Sequence, residues 1–131
     1  MLRMVQRFKS NFVVLDALAE ASWGKYQKTR DKSYLSKDVQ AHWNSLYLFV
    51  AKAIDEDQYS EMATDLGLDE KNYYEKRMSI AYRLLEISFE REDWKKIPAE
   101  VDTFERMGFL KGISAELKKK FMDIKARAAA K

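Results

Sequence analysis

The chain has 131 residues, of which 47% are hydrophobic, 34% charged and 13% aromatic, a balance typical of one globular domain rather than of a disordered or fibrous protein. It contains no cysteine, which excludes disulfides, thiolate nucleophiles and metal sites built on cysteine. Four glycines and one proline leave few turn residues for β-hairpins, so we predict an all-α fold with a single domain over residues 1–131.

The first residues of the chain combine positive charge with a short apolar run. Arg3, Arg7 and Lys9 precede residues 12–15, and Asp16 interrupts the apolar stretch that follows. A cleavable signal usually has an uninterrupted apolar region, so we interpret this segment as part of the mature fold. No apolar run approaches the roughly 20 residues that a membrane-spanning helix needs.

The formal net charge is +3, and it is unevenly distributed. Residues 1–37 carry eight basic and three acidic side chains, residues 112–131 carry six and two, and residues 38–111 have an excess of six acidic ones. If the termini lie side by side, they form one positive surface for an acidic partner; otherwise these charges only keep the helices solvated. The candidate partner-binding residues of this basic face are Arg3, Arg7, Lys9, Lys118, Lys119, Lys120, Lys125 and Arg127.

Hydrophobic periodicity predicts two long helices in the first part of the chain. Apolar residues at three- and four-residue spacing favour a helix over residues 2–26. The pattern lapses over residues 29–36, where Ser36, with Asp38 in the first turn, is the expected N-cap of the second helix. That helix is expected to end near Glu56.

The centre of the chain predicts a short helix followed by the third long one. Residues 59–66 form the short helix, and Gly67 is suited to its C-terminal end because glycine adopts left-handed backbone angles without steric cost. Asp69 is the expected N-cap of the long helix, which runs to Phe89.

The last part of the chain predicts a second short helix and the fourth long one. Pro98 is tolerated in a first helical turn, so the short helix is expected to begin near Ile97 and to stop at Gly108. Its expected inner face is Val101, Phe104 and Met107. Ser114 is the predicted N-cap of the last helix, whose apolar stripe is Leu117, Phe121, Ile124 and Ala128. The whole pattern predicts an up-and-down bundle of four long and two short helices.

An internal repeat links two of these regions. Residues 43–66 match residues 78–101 with an offset of 35 residues, and a short charged break precedes Tyr59 in one copy and Trp94 in the other. A period of this size is typical of repeated helical hairpins. Stacked hairpins usually present surfaces to protein partners. We expect Tyr59 and Trp94 to occupy equivalent buried sites.

The sequence offers little material for catalysis or metal binding. His42 is the only histidine, so neither the usual di-iron bundle site nor a supported catalytic triad can be assembled. A run beginning at Asp55 starts like a calcium-binding loop, but Tyr59 and Leu66 occupy positions that need oxygen ligands. A glycine-rich phosphate loop is also missing. We therefore predict no enzyme activity, no cofactor and no metal.

The segment from Leu84 to Trp94, a helix followed by a charged break and an aromatic residue, resembles the hairpins of tetratricopeptide-like proteins. It is also similar to PsbQ-like extrinsic subunits of photosystem II, which are small, non-catalytic, cysteine-free four-helix bundles on the lumenal side of the thylakoid. That resemblance implies a photosynthetic complex as partner and the thylakoid lumen as location, with Ile54, Tyr59, Leu85 and Trp94 at core positions. Without it, a cytoplasmic protein is expected.

These observations favour a non-catalytic accessory or scaffold subunit of a larger protein assembly. The alternative is a binding module for nucleic acid or an anionic membrane surface, using the basic C-terminal helix. The acidic centre of the chain makes nucleic acid the weaker partner, because dedicated binders usually carry a longer stripe of positive charge.

Overall fold

The computed structural model describes the backbone of residues 2–55 and 70–131, with the side chains of residues 14–50 and 74–131. Every regular element in these stretches is helical, which confirms the all-α prediction for this part of the chain. No helix among the described residues is long and apolar enough to cross a membrane. The chain divides into two compact units, Met1–Tyr73 and Tyr74–Lys131. The single-domain organisation stays a prediction.

The N-terminal unit begins with helix α1, Leu2–Thr29, which extends beyond the predicted end at residue 26. Its described part buries Ala19, Ser22, Trp23 and Tyr26, a helical spacing that places all four on one face. The hydroxyl of Ser22 donates to the carbonyl of Ala19 at 2.7 Å, so this buried polar group is satisfied. The helix closes where Arg30 adopts a left-handed φ of 55° and its N–H donates to the carbonyl of Tyr26 at 2.7 Å.

The next helical region begins earlier than the sequence pattern indicated. Helix α2, Lys32–Tyr34, leads into a π-helical segment, Leu35–Val39, and then into α3, Gln40–Asp55. The prediction of Ser36 as N-cap is wrong. Asp31 caps instead: its carboxylate accepts from the backbone N–H of Ser33 at 3.0 Å and from the Ser33 hydroxyl at 2.8 Å, and these bonds lower the pKa of Asp31.

Helix α3 continues the buried face that the π-helical segment starts. Leu35 and Val39 are both fully buried, and Trp43, Leu46 and Val50 extend the same stripe along α3. Helix α1 packs against α3 and against the π-helical segment. The hydrophobic periodicity that predicts the second helix is therefore confirmed as far as side chains are described.

The C-terminal unit contains most of helix α4, Glu70–Glu90, together with α5, Lys96–Arg106, and α6, Ala115–Ala129. Helix α5 packs against α6. The side chains of α4 are buried at two sets of positions, one at Met78, Ala81, Leu85 and Ser88 and the other at Ile80 and Ile87.

Helices α4 and α5 end in the same hydrogen-bonded turn, the Schellman motif. After α4, the N–H of Glu92 donates to the carbonyl of Phe89 at 3.0 Å, and the N–H of Asp93 donates to the carbonyl of Ser88 at 2.9 Å. Glu92 adopts a left-handed φ of 67°, a position that usually holds glycine because a Cβ there costs free energy. Gly108, with a φ of 80°, takes this position after α5, which confirms the predicted stop.

Two side chains of this unit differ from their predicted positions. Met107 is 60% exposed, so its assignment to the inner face of α5 is wrong, because it lies at the C-cap where the helical pattern ends. Trp94 is half-buried in the turn between α4 and α5 rather than buried. The predicted short helix over residues 59–66, its stop at Gly67 and the cap at Asp69 lie outside the described residues.

Candidate binding surface on the last helix

Helix α6 has a well-defined start. The Oγ of Ser114 accepts a hydrogen bond from the N–H of Leu117 at 3.2 Å, which confirms the predicted N-cap. The backbone N–H of Ser114 donates to the carboxylate of Glu75 on α4 at 2.5 Å. Because both contacts fix the first turn, the side chains that follow have a defined direction relative to α4.

The inward side of α6 is the predicted apolar stripe. Leu117, Phe121, Ile124 and Ala128 are all buried. The ring of Phe121 lies 5.6 Å from that of Tyr82 on α4 and 6.0 Å from that of Phe104 on α5, both edge to face. This stripe holds the three helices together and leaves the remaining sides of α6 for polar residues.

The predicted basic residues of α6 fall into two groups. Lys118, Lys119 and Lys120 are exposed, and because successive residues of a helix are about 100° apart, they spread over its outer side. Lys125 is hydrogen-bonded to the carboxylate of Asp102 on α5 at 2.5 Å, which raises the pKa of the lysine. The guanidinium of Arg127 lies 4.6 Å from the centre of the Phe89 ring. The last two cations are thus engaged within the unit.

One carboxylate beside this surface is electrostatically coupled to it. Burial raises the pKa of Glu86, while the positive charges of Arg83, Lys120 and Arg127 lower it in part. Arg83 forms an ion pair with Glu86 at 3.2 Å. Lys120 is therefore partly balanced by a neighbouring acid, whereas Lys118 and Lys119 form no ion pair with any described residue.

The N-terminal part of the predicted basic face is not placed. The side chains of Arg3, Arg7 and Lys9 lie outside the described residues, so the joining of the two basic ends stays a prediction. The charged break that begins at Asp55 also lies outside the described residues, except for the backbone of Asp55 itself. His42 is half-buried on α3, as expected of an ordinary helix residue. Among the described residues there is no cluster of three or more potential metal ligands.

The structure also contains a groove that the sequence analysis missed. It has a volume of about 620 Å³ and lies between the turn after α4, the start of α5 and the end of α6. Its apolar lining is Trp94, Pro98, Ala128 and Ala129, and its charged lining is Glu92, Asp93, Lys95, Lys96 and Lys131. No sequence signal marks it, because its lining comes from two segments that are distant in the chain.

Aromatic rings and cations meet at one side of this groove. The rings of Phe89 and Trp94 are 6.3 Å apart, edge to face. The Nζ of Lys131 lies 5.4 Å from the centre of the Trp94 ring and 5.8 Å from that of Phe89. Cations at such distances are attracted to the faces of aromatic rings, so positive charge is held beside the apolar lining.

The chain matches no model of a known protein family, and no curated protein or solved structure is detectably similar to it.

Proposed function

We propose that the protein is a non-catalytic accessory or scaffold subunit of a larger protein assembly, and that the exposed Lys118, Lys119 and Lys120 contact an acidic surface of that assembly. The observation that carries the proposal is the division of charge on α6: its buried stripe and two of its cations are engaged within the unit, while three consecutive lysines are exposed. Exposed positive charge of this kind is suited to steering an acidic partner.

The alternative partners fit this helix less well. A helix that lies on an anionic membrane must present its apolar side to the lipid, but Leu117, Phe121 and Ile124 are at most 7% exposed. A nucleic-acid backbone favours an unbroken positive stripe, and the exposed acids Glu116 and Asp123 interrupt this one. An acidic protein surface tolerates such a mixed pattern.

A helical-hairpin repeat would suit a scaffold role, and burial along α3 and α4 supports it. With the offset of 35 residues, the pairs Trp43/Met78, Leu46/Ala81 and Val50/Leu85 consist of buried residues only, and the pairs Tyr47/Tyr82 and Phe49/Leu84 of half-buried ones. The correspondence fails at Ser45, which is exposed, and Ile80, which is buried. The second half of the first copy lies outside the described residues, so the repeat is part of the proposal.

The test compares two triple variants that lose the same charge. The first replaces Lys118, Lys119 and Lys120 by Ser, and the control replaces Lys28, Lys37 and Lys111, three exposed lysines elsewhere. The binding partner is first isolated from an extract of the source organism with the full chain as bait. Its affinity is then measured over a range of salt concentrations.

We expect the α6 variant to bind more weakly and with a flatter salt dependence than the control, while the stability of both stays close to that of the parent, since exposed charges contribute little to folding. Equal affinity and equal salt dependence of the two variants would refute the role of these lysines. Photosystem II is the first assembly to test, because of the PsbQ-like resemblance. Recovery of nucleic acid instead of protein would favour the alternative function.

A further inference from the structure

We propose that the groove beside Trp94 is a docking site for a short acidic segment of a partner protein that carries one apolar anchor side chain. This inference goes beyond the proposed function of the α6 lysines, since it concerns other residues and does not require Lys118, Lys119 or Lys120 to bind anything. It depends on the shape of the groove, its charges and the unusual start of α5.

The groove has the size and floor of a peptide-binding pocket. Its volume of about 620 Å³ lies within the range of roughly 300–1,000 Å³ that is typical of ligand pockets. The space exists because α6 ends in small side chains, Ala128 and Ala129, opposite the half-buried indole of Trp94 and the ring of Pro98. An apolar side chain of a partner would bury against these surfaces and gain about 25 cal/mol for each Å² removed from water.

The charges around the groove favour an acidic occupant. Lys95, Lys96 and Lys131 line it and are exposed. Of the two acids in the lining, Asp93 lies 3.7 Å from the guanidinium of Arg91, which partly neutralises it. Glu92 then remains as the negative charge at one side of the groove. An acidic segment would lie toward the lysines at the other side, with its apolar anchor in the groove between them.

The start of α5 lacks the negative charge that helix starts usually attract. Its N-cap is Lys95, with no side-chain hydrogen bond to the first turn, and the first turn contains no acidic residue. Lys96 is the first helical residue. Positive side chains at the positive end of the helix dipole are unfavourable. A carboxylate from a partner would add negative charge beside Lys95 and Lys96, while the groove receives the anchor.

Binding can be measured with the full chain and short synthetic peptides. The probe is a fluorescein-labelled peptide of aspartates and glutamates around one Phe, and its control has lysines in place of the acids. Trp23 and Trp43 are only 6% and 2% exposed, whereas Trp94 lines the groove. We therefore expect the unlabelled acidic peptide to change the tryptophan emission, and Trp94→Phe to remove that change.

Two pairs of matched variants locate the site. The double variant Lys95→Glu with Lys96→Glu should weaken binding of the acidic peptide about tenfold or more. The double variant Lys118→Glu with Lys119→Glu changes the net charge equally. It should weaken binding less than about threefold, because its charges are distant from the groove and are screened by salt. Ala129→Gln should also lower the affinity about tenfold by filling the groove without a change of charge. Ala126→Gln, at an exposed position of α6 outside the groove, should have no effect.

Three results would overturn the inference. The first is equal weakening by the two charge-reversal pairs, which would mean only long-range attraction. The second is full affinity for the acidic peptide in the Ala129→Gln variant, once circular dichroism has shown that this variant is folded. The third is equal binding of the lysine peptide, or equally tight binding of a free aliphatic carboxylate, which would make the groove a small-molecule site. The Lys118, Lys119 and Lys120 triple variant separates the two proposals, because it should retain affinity for the peptide even where it loses the natural partner.

Discussion

Replacement of Phe121 by Ala tests whether the last helix is held to the rest of the C-terminal unit by one ring. Phe121 is 0% exposed and meets Tyr82 and Phe104 at interplanar angles of 73° and 79°. These contacts connect α6 to α4 and to α5. Loss of the ring therefore removes a contact that all three helices share.

The expected cost is large relative to the stability of a small domain. Truncation of a buried Phe to Ala typically costs about 3–5 kcal/mol, and edge-to-face ring pairs contribute about 0.5–1.5 kcal/mol each beyond their buried area. With two such pairs, we expect a loss of about 4–5 kcal/mol in the free energy of unfolding. Domains of this kind are stable by about 5–15 kcal/mol, so the variant should lie near the limit of folding.

The assay is urea unfolding of the full chain, followed by circular dichroism for helix content and by tryptophan emission. Phe121→Leu is the matched control: it keeps most of the apolar volume but loses the two ring pairs, so we expect a cost of about 1–3 kcal/mol, smaller than that of Phe121→Ala. A cost below about 1 kcal/mol for Phe121→Ala would refute the reasoning, because such values are typical of surface positions.

Three further predictions concern the helix ends and the half-buried Glu86. Ser114→Ala should lower the free energy of unfolding by about 1 kcal/mol through loss of the N-cap, and Ser114→Asp should restore it in the same urea titration. Glu92→Gly should raise the melting temperature slightly, since the left-handed strain of about 1–2 kcal/mol exceeds the entropy cost of glycine. Gly108→Ala should lower the melting temperature because Gly108 has a left-handed φ, although an added Cβ would meet no atom within 4 Å. Because burial raises the pKa of Glu86 above its ordinary 4.5, its ionised form destabilises the fold: the contribution of Glu86 to stability is greatest below the ordinary pKa and falls as pH rises through the raised one. Glu86→Gln should remove this fall, and a parent protein with the same pH profile as the variant would contradict the prediction.

The last helix was predictable because its signals are local. Ser114 can cap only a helix that begins just after it, and the spacing of Leu117, Phe121 and Ile124 assigns their common face without knowledge of any neighbour. The stop at Gly108 was predictable for the same reason, since a single residue type suits the left-handed position. No such rule indicates Glu92, where a residue other than glycine takes that position.

The start of the second helical region was mispredicted because two caps compete within a few residues. Ser36 and Asp31 are both suitable N-cap residues, and the choice depends on whether the chain is already helical before Leu35. The π-helical segment keeps Leu35 and Val39 on the buried side. The apolar pattern therefore fits a helix capped by Asp31 as well as a helix capped by Ser36. The hydrogen bond from the N–H of Ser33 to the carboxylate of Asp31 determines the start, and it depends on the folded backbone, which the apolar pattern does not specify.

The groove could not be predicted because it depends on residues that are distant in sequence. Trp94 and Ala129 are separated by two helices and the loop between them, and neither residue is unusual by itself. The internal repeat predicts a buried core position for Trp94, whereas the small side chains at the end of α6 leave that ring half-buried. The hydrophobic periodicity of a helix does not show where small side chains will leave a groove against another segment.

The two candidate surfaces on α6 are far enough apart to act independently. Ten residues separate Lys119 from Ala129, which corresponds to about 15 Å along a helix that rises about 1.5 Å per residue. Charges on the outside of a protein are screened over about 8 Å at physiological salt. A partner that reaches only one surface should therefore be affected by changes at that surface alone. A partner with an acidic patch and a flexible acidic segment could engage both, and its affinity would then exceed either single affinity because the second contact forms within the complex.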